Sequence, residues 1–208
     1  MQMIQGSRRL VARQEMSDEP TAPTELADLY SKDVTRWVKL EPDSVALNAP
    51  NVTKMTLTHS PVIAWDKSAH EMLNENVKQD HKHVVFNCHG FTTRPGFETP
   101  HLSIGTVVHP GNVDAFSQLA PLNVKVVWIS ACNLTLSAEG EEFCKNMARK
   151  SGAYVVAPTF AVTQNVKRDR VEDTAGAMWK YIDPKGNLVS RMDFIRNGPS
   201  LGFEYEKK

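Results

Sequence analysis

Apolar and polar positions along the chain change their spacing twice. Residues 1–24 are polar, and Asp18, Glu19, Pro20 and Pro23 interrupt any period. From Thr24 to Leu40 the spacing predicts a helix, with Thr24 as N-cap and Leu26, Leu29, Tyr30, Val34, Trp37 and Val38 recurring at three- and four-residue steps. Pro42, Asn48 and Pro50 then predict a turn-rich connector. Residues 1–50 are therefore expected to be a polar arm with one helix, and residues 51–208 a separate α/β domain.

In that domain, Thr53–His59 alternates and Pro61–Trp65 is a short apolar run, which predicts a pair of edge strands. Ser68 to Lys78 predicts a helix, since Ser68 and Glu71 have capping-box spacing. His83–Gly90 and Val124–Asn133 are near-continuous apolar runs that end in polar tips. That is the pattern of strands buried on both faces of a parallel sheet. Asn112–Leu119 predicts a short helix between them. Ala138–Lys150 predicts an amphipathic helix ended by Gly152, and Tyr154–Thr159 a third buried strand. The alternation of strand and helix implies an α/β fold with a mostly parallel sheet. Met178–Ile182 and Asn187–Phe194, flanking Asp183-Pro-Lys-Gly186, predict a C-terminal β-hairpin.

Composition narrows the function. Lys+Arg number 24 and Asp+Glu 24, so a general nucleic-acid binder, which carries a basic excess, is not expected. No apolar stretch approaches the length of a membrane span, and the first residues lack the apolar region of a Sec signal peptide. A cytoplasmic location, or export without such a signal, is the expectation. Three cysteines do not make a disulfide framework, which leaves room for one thiol with chemistry.

Ligands in open α/β sheets bind at the carboxyl ends of the strands. Two of the distinctive strands end there in reactive side chains, His89 and Cys132. If the strands are neighbours, an imidazole and a thiol come within reach of each other, the arrangement that nucleophilic catalysis by a thiolate needs. Gly90, with no side chain, lets a substrate carbonyl approach a backbone N–H as an oxyanion donor requires. The bland alternative is that Cys132 is a small core residue and His89 a structural histidine. Alternation turns Cys88 away from His89 into the core, and Cys144 lies mid-helix as packing. His81 and His83 share a strand face, but two histidines at i, i+2 are weak evidence for zinc, so solvated strand-entry residues are expected there and no metal. The chain has no Gly-x-Ser-x-Gly elbow, Gly-x-Gly-x-x-Gly or Walker loop, which argues against an α/β-hydrolase or a nucleotide site.

His89-Gly90 ending one strand and Ser130-Ala-Cys132-Asn133 ending another resemble the caspase-like (clan CD) cysteine peptidase superfamily. Glu139-Gly140, Phe143–Ala148 and Ser151-Gly-Ala-Tyr-Val-Val-Ala157 follow in an order similar to the CHAT- and separase-related branch and to bacterial caspase-like domains. The resemblance covers residues 80–160. It implies a three-layer α/β/α sandwich, with His89 as base and Cys132 as nucleophile. It also implies an oxyanion hole from the Gly90 and Cys132 backbone amides, and a specificity pocket around Thr159, Phe160, Thr163 and Asp173. No cofactor or metal is implied, and the substrate would be a protein or peptide whose P1 preference stays open. Two functions are compatible with this pattern: a cysteine endopeptidase, or a non-catalytic interaction module with a vestigial Cys–His pair.

Overall fold

A computed structural model of the chain describes residues 34–40, 43–92, 99–159, 170–173, 179–198 and 202–207. In chain order the first elements are β1 (Val34–Lys39), β2 (Ser44–Asn48), α1 (Ala69–Asn76), β3 (His83–Asn87), β4 (His89–Phe91) and β5 (His101–Ser103). A 3-10 helix (Pro110–Leu122), β6 (Val126–Ser130), α2 (Ala138–Ser151), β7 (Tyr154–Pro158) and β8 (Arg170–Asp173) follow. The last are β9 (Trp179–Ile182), β10 (Leu188–Val189), α3 (Arg191–Asn197) and β11 (Gly202–Lys207).

The protein is α/β, with a mostly parallel six-stranded sheet in the order β10-β9-β7-β6-β3-β2. β2, β3, β6 and β7 run parallel, and β9 and β10 add antiparallel pairs at one edge. The buried runs form strands because both faces are covered. Val84 and Phe86, Val127 and Ile129, and Val155 and Ala157 join α1, the 3-10 helix and α2 in one core. The alternate residues Val85, Val126, Trp128, Val156 and Tyr181 pack in a second core with Met55, Leu57 and Phe194 of α3. Smaller sheets are β4-β5 and the antiparallel β11-β1-β8.

Several elements follow their sequence signals. Ser68 and Glu71 close a capping box on α1, and α2 runs from its Ser137 N-cap to Gly152. Four expectations are corrected. Of the helix expected over 24–40, residues 24–33 lie outside the described residues, and Val34–Lys39 is a strand that pairs with β8 and β11. The connector expected around residues 42–50 contains β2, so the parallel sheet starts before residue 51. Thr53–His59 and Pro61–Trp65 form no strand pair. His59 and Val62 instead make single bridges to β2, and the apolar side chains of Met55, Leu57 and Ile63 are spent on burial. The hairpin expected near the C-terminus exists, but its second limb stops at Val189. Ser190 then caps α3 by accepting from the Asp193 amide.

Candidate active site

The site forms where β3 and β6 run out of sheet. Asn87 and Ser130 are the last residues in register, and the Cys88 N–H still donates to the Ser130 carbonyl at 3.2 Å. His89 therefore lies just past the end of β3 rather than on it, and pairs with Ser103 as the first residue of β4. Cys132 follows Ser130 by two residues on the adjacent parallel strand's exit.

Gly90 joins the two exits. A Cβ at Gly90 would lie 2.5 Å from the Cys132 carbonyl oxygen, 2.9 Å from the Ala131 Cβ and 3.1 Å from the Cys132 nitrogen. Only a residue without a side chain allows this approach. The Leu102 N–H donates to the Val108 carbonyl at 2.8 Å, and its C=O accepts from the Val108 and Ile104 N–H groups, both at 3.0 Å. Its pairing with Gly90 across the β4-β5 ladder is thus of the non-hydrogen-bonded class, which leaves the Gly90 amide outside that ladder.

After Cys132 the chain turns sharply. Asn133 has φ 56°, a left-handed conformation that Asn tolerates better than most residues. The following loop is pinned at Thr135 to the end of β7. The Thr135 N–H donates to the Pro158 carbonyl at 3.2 Å, and the buried Thr135 and Thr159 hydroxyls are 3.1 Å apart. Behind the site, two buried asparagines tie the ends of β2 and β3. The Asn87 Nδ2 donates to the Asn48 Oδ1 at 2.7 Å, and the Met55 N–H donates to the same oxygen at 2.8 Å.

His89, Gly90, Phe91, Thr92, Cys132 and Asn133 line a cavity of about 220 Å³. Of the three thiols, only Cys132 is half-buried, while Cys88 and Cys144 are buried. Burial pushes the Cys88 and Cys144 thiols above the ordinary range, and the neighbouring Cys132 adds to the shift of Cys88. Those two are poor nucleophiles. Phe91 stacks on His101, with centroids 4.7 Å apart.

The sequence-derived residues divide. His89, Gly90 and Cys132 are on one cavity. Thr159 sits just past β7, buried against Thr135 rather than among those lining residues. Phe160 and Thr163 lie outside the described residues. Asp173 ends β8, opposite Arg36 in the three-stranded sheet. Phe91, Thr92 and Asn133 were not singled out from the sequence. Their only signal is direct adjacency to His89-Gly90 and Cys132.

His81 and His83 are buried, not solvated. His81 stacks on His59 with centroids 5.4 Å apart, and the Trp128 indole donates to the His83 Nδ1 at 3.2 Å. Among the described residues there is no group of three or more His, Cys, Asp or Glu side chains placed to hold a metal ion. Nor is any helix among them long and apolar enough to cross a membrane. No protein-family model matches the chain, and a search of curated proteins finds no significant relative.

Proposed function

We propose that this protein is a cysteine endopeptidase of caspase-like type, its sheet and helices forming a three-layer α/β/α sandwich with a His89–Cys132 dyad. The observation that carries the reading is the fit of Gly90 against the Cys132 backbone. It holds the imidazole segment and the half-buried thiol on one cavity.

The chemistry is acyl transfer. The Cys132 thiolate attacks the scissile carbonyl carbon, and the resulting oxyanion accepts hydrogen bonds from the Gly90 and Cys132 amides. His89, carrying the thiol's proton, gives it to the leaving amine as the C–N bond breaks. It then takes a proton from water, whose hydroxide displaces Cys132 from the acyl group and releases a carboxylic acid. No cofactor enters this sequence. Zero net formal charge favours a protein or peptide substrate over nucleic acid.

Iodoacetamide labelling at neutral pH, read by peptide mass spectrometry, tests the dyad. Cys132 is expected to react about tenfold or more faster than glutathione, with Cys88 and Cys144 far slower than either. His89→Ala is expected to bring Cys132 down to the glutathione rate. Equal, slow labelling of all three cysteines, or a Cys132 rate indifferent to His89, would overturn the peptidase and favour a non-catalytic interaction module. Peptide-library cleavage that persists in Cys132→Ala would likewise come from something else.

A further inference from the structure

The cavity beside Cys132 contains a polar group that the fold leaves without a partner. Thr92 follows β4 directly and is 8% exposed. Its Oγ1 is buried with no hydrogen-bond partner among the described residues. Thr92 nevertheless lines the same cavity as His89, Cys132 and Asn133. A buried hydroxyl left unpaired carries the desolvation cost of that group in full. Native folds keep few such groups, and among the described residues the Thr92 Oγ1 is the one of them whose residue lines the cavity, where a ligand can supply the bond.

The rest of the wall defines what could supply it. Among the described residues the lining holds no carboxylate, ammonium or guanidinium group. Of these lining residues only the His89 imidazole can carry positive charge, and the proposed dyad already pairs it with the Cys132 thiolate, so an entering charged side chain would lose its hydration with no free counter-charge to replace it. The volume of about 220 Å³ is below that of sites for drug-sized ligands and suits a single side chain.

We propose that the Thr92 hydroxyl anchors, by a hydrogen bond, an uncharged polar side chain on the substrate residue whose carbonyl Cys132 attacks, so that the cavity selects Asn or Gln. The proposal rests on the peptidase reading and adds to it a substrate class and a specificity-determining residue. An apolar isostere of the same shape fills the space but leaves Oγ1 unpaired. That loss is the basis on which hydrogen-bonding sites reject analogues.

The test uses pairs of peptidyl chloromethyl ketones that differ only at that residue, Asn against Leu and Gln against Met, on the full chain. The second-order rate of Cys132 alkylation is the readout. In the wild type and in Thr92→Ser the polar member of at least one pair is expected to react about tenfold faster than its apolar isostere. Asp and Lys reagents are expected to be slower still. In Thr92→Val the ratio is expected to fall to about one. Thr92→Val matches the shape of threonine, and its Tm is expected to equal or exceed that of the wild type because it removes an unpaired hydroxyl. A lowered Tm would mean that the hydroxyl has a structural partner, and would overturn the proposal. So would a wild-type ratio of one with fast, His89-dependent iodoacetamide labelling intact, an outcome that leaves the peptidase standing. If Cys132 reacts with iodoacetamide no faster than glutathione does, the dyad itself fails and the anchoring role falls with it.

Discussion

Gly90 sets how closely the segments that carry His89 and Cys132 approach each other. Any Cβ there meets backbone and a methyl group, 2.5 Å from the Cys132 oxygen and 2.9 Å from the Ala131 Cβ. Neither obstacle is the end of a flexible side chain that could swing aside. Gly90→Ala is expected to push β4 away from the 131–132 segment and to cost about 1–3 kcal/mol, as overpacking does. The displacement should lower His89-dependent alkylation of Cys132 at least tenfold, because a misplacement near 1 Å is already costly in a catalytic pair. Alkylation at the wild-type rate in a folded Gly90→Ala protein would show that this contact does not align the pair. At this scale the sequence was legible where chemistry coincides with a strand end: His89, Gly90 and Cys132 all lie at the exits of β3 and β6. Thr92 was not, because threonine after a strand is unremarkable until its hydroxyl is found buried and unpaired. Asn133 was missed for a similar reason, since its left-handed φ is invisible in the letters.

Elements were legible where local and tertiary preferences agree. The Ser68–Glu71 box gave α1 its start, and the amphipathic spacing with Gly152 gave α2 its course and its end. Strands β3, β6 and β7 announced themselves as continuous apolar runs because both of their faces are buried. β1 was misread because Val34, Trp37 and Val38 satisfy a helical spacing over so short a stretch. What makes it a strand is pairing with Gly202–Lys207, over 160 residues away, and no local pattern reports that. α3 had a legible cap in Ser190 and Asp193, but the apolar residues before it suggested a longer hairpin limb. α2 also shows how an element serves the site. A Cβ at Gly140, in its first turn, would lie 1.8 Å from the Leu134 carbonyl oxygen, in the loop that leaves Cys132. Helix propensity alone makes Gly140→Ala stabilising by up to about 1 kcal/mol. The backbone clash predicts the opposite sign, a net loss of about 2 kcal/mol by urea unfolding. A stabilised Gly140→Ala would mean that the loop does not rest on the helix.

For the whole molecule, sensitivity to acid is built in at the amino end of the parallel sheet. His89 lies past the carboxyl end of β3, whereas His83 opens that strand and is 8% exposed. Burial pushes the His83 pKa down to about 4, against a weaker opposing pull from Asp43. The hydrogen bond agrees, since the Trp128 indole needs an unprotonated Nδ1 to accept it. Burial lowers His81 as well. A histidine whose folded pKa lies below its unfolded value of about 6.5 binds its proton first in the unfolded chain. Stability is therefore full above pH ~6.5 and drains away as the pH falls toward ~4. A shift of this size makes His83 alone responsible for about 2–3 kcal/mol between pH 7.5 and 4.5. Unfolding free energies from urea titrations at those two pH values are expected to fall by that much more in the wild type than in His83→Gln, whose amide can still accept from Trp128. Equal losses in the two proteins would show that His83 is not the group that titrates on unfolding.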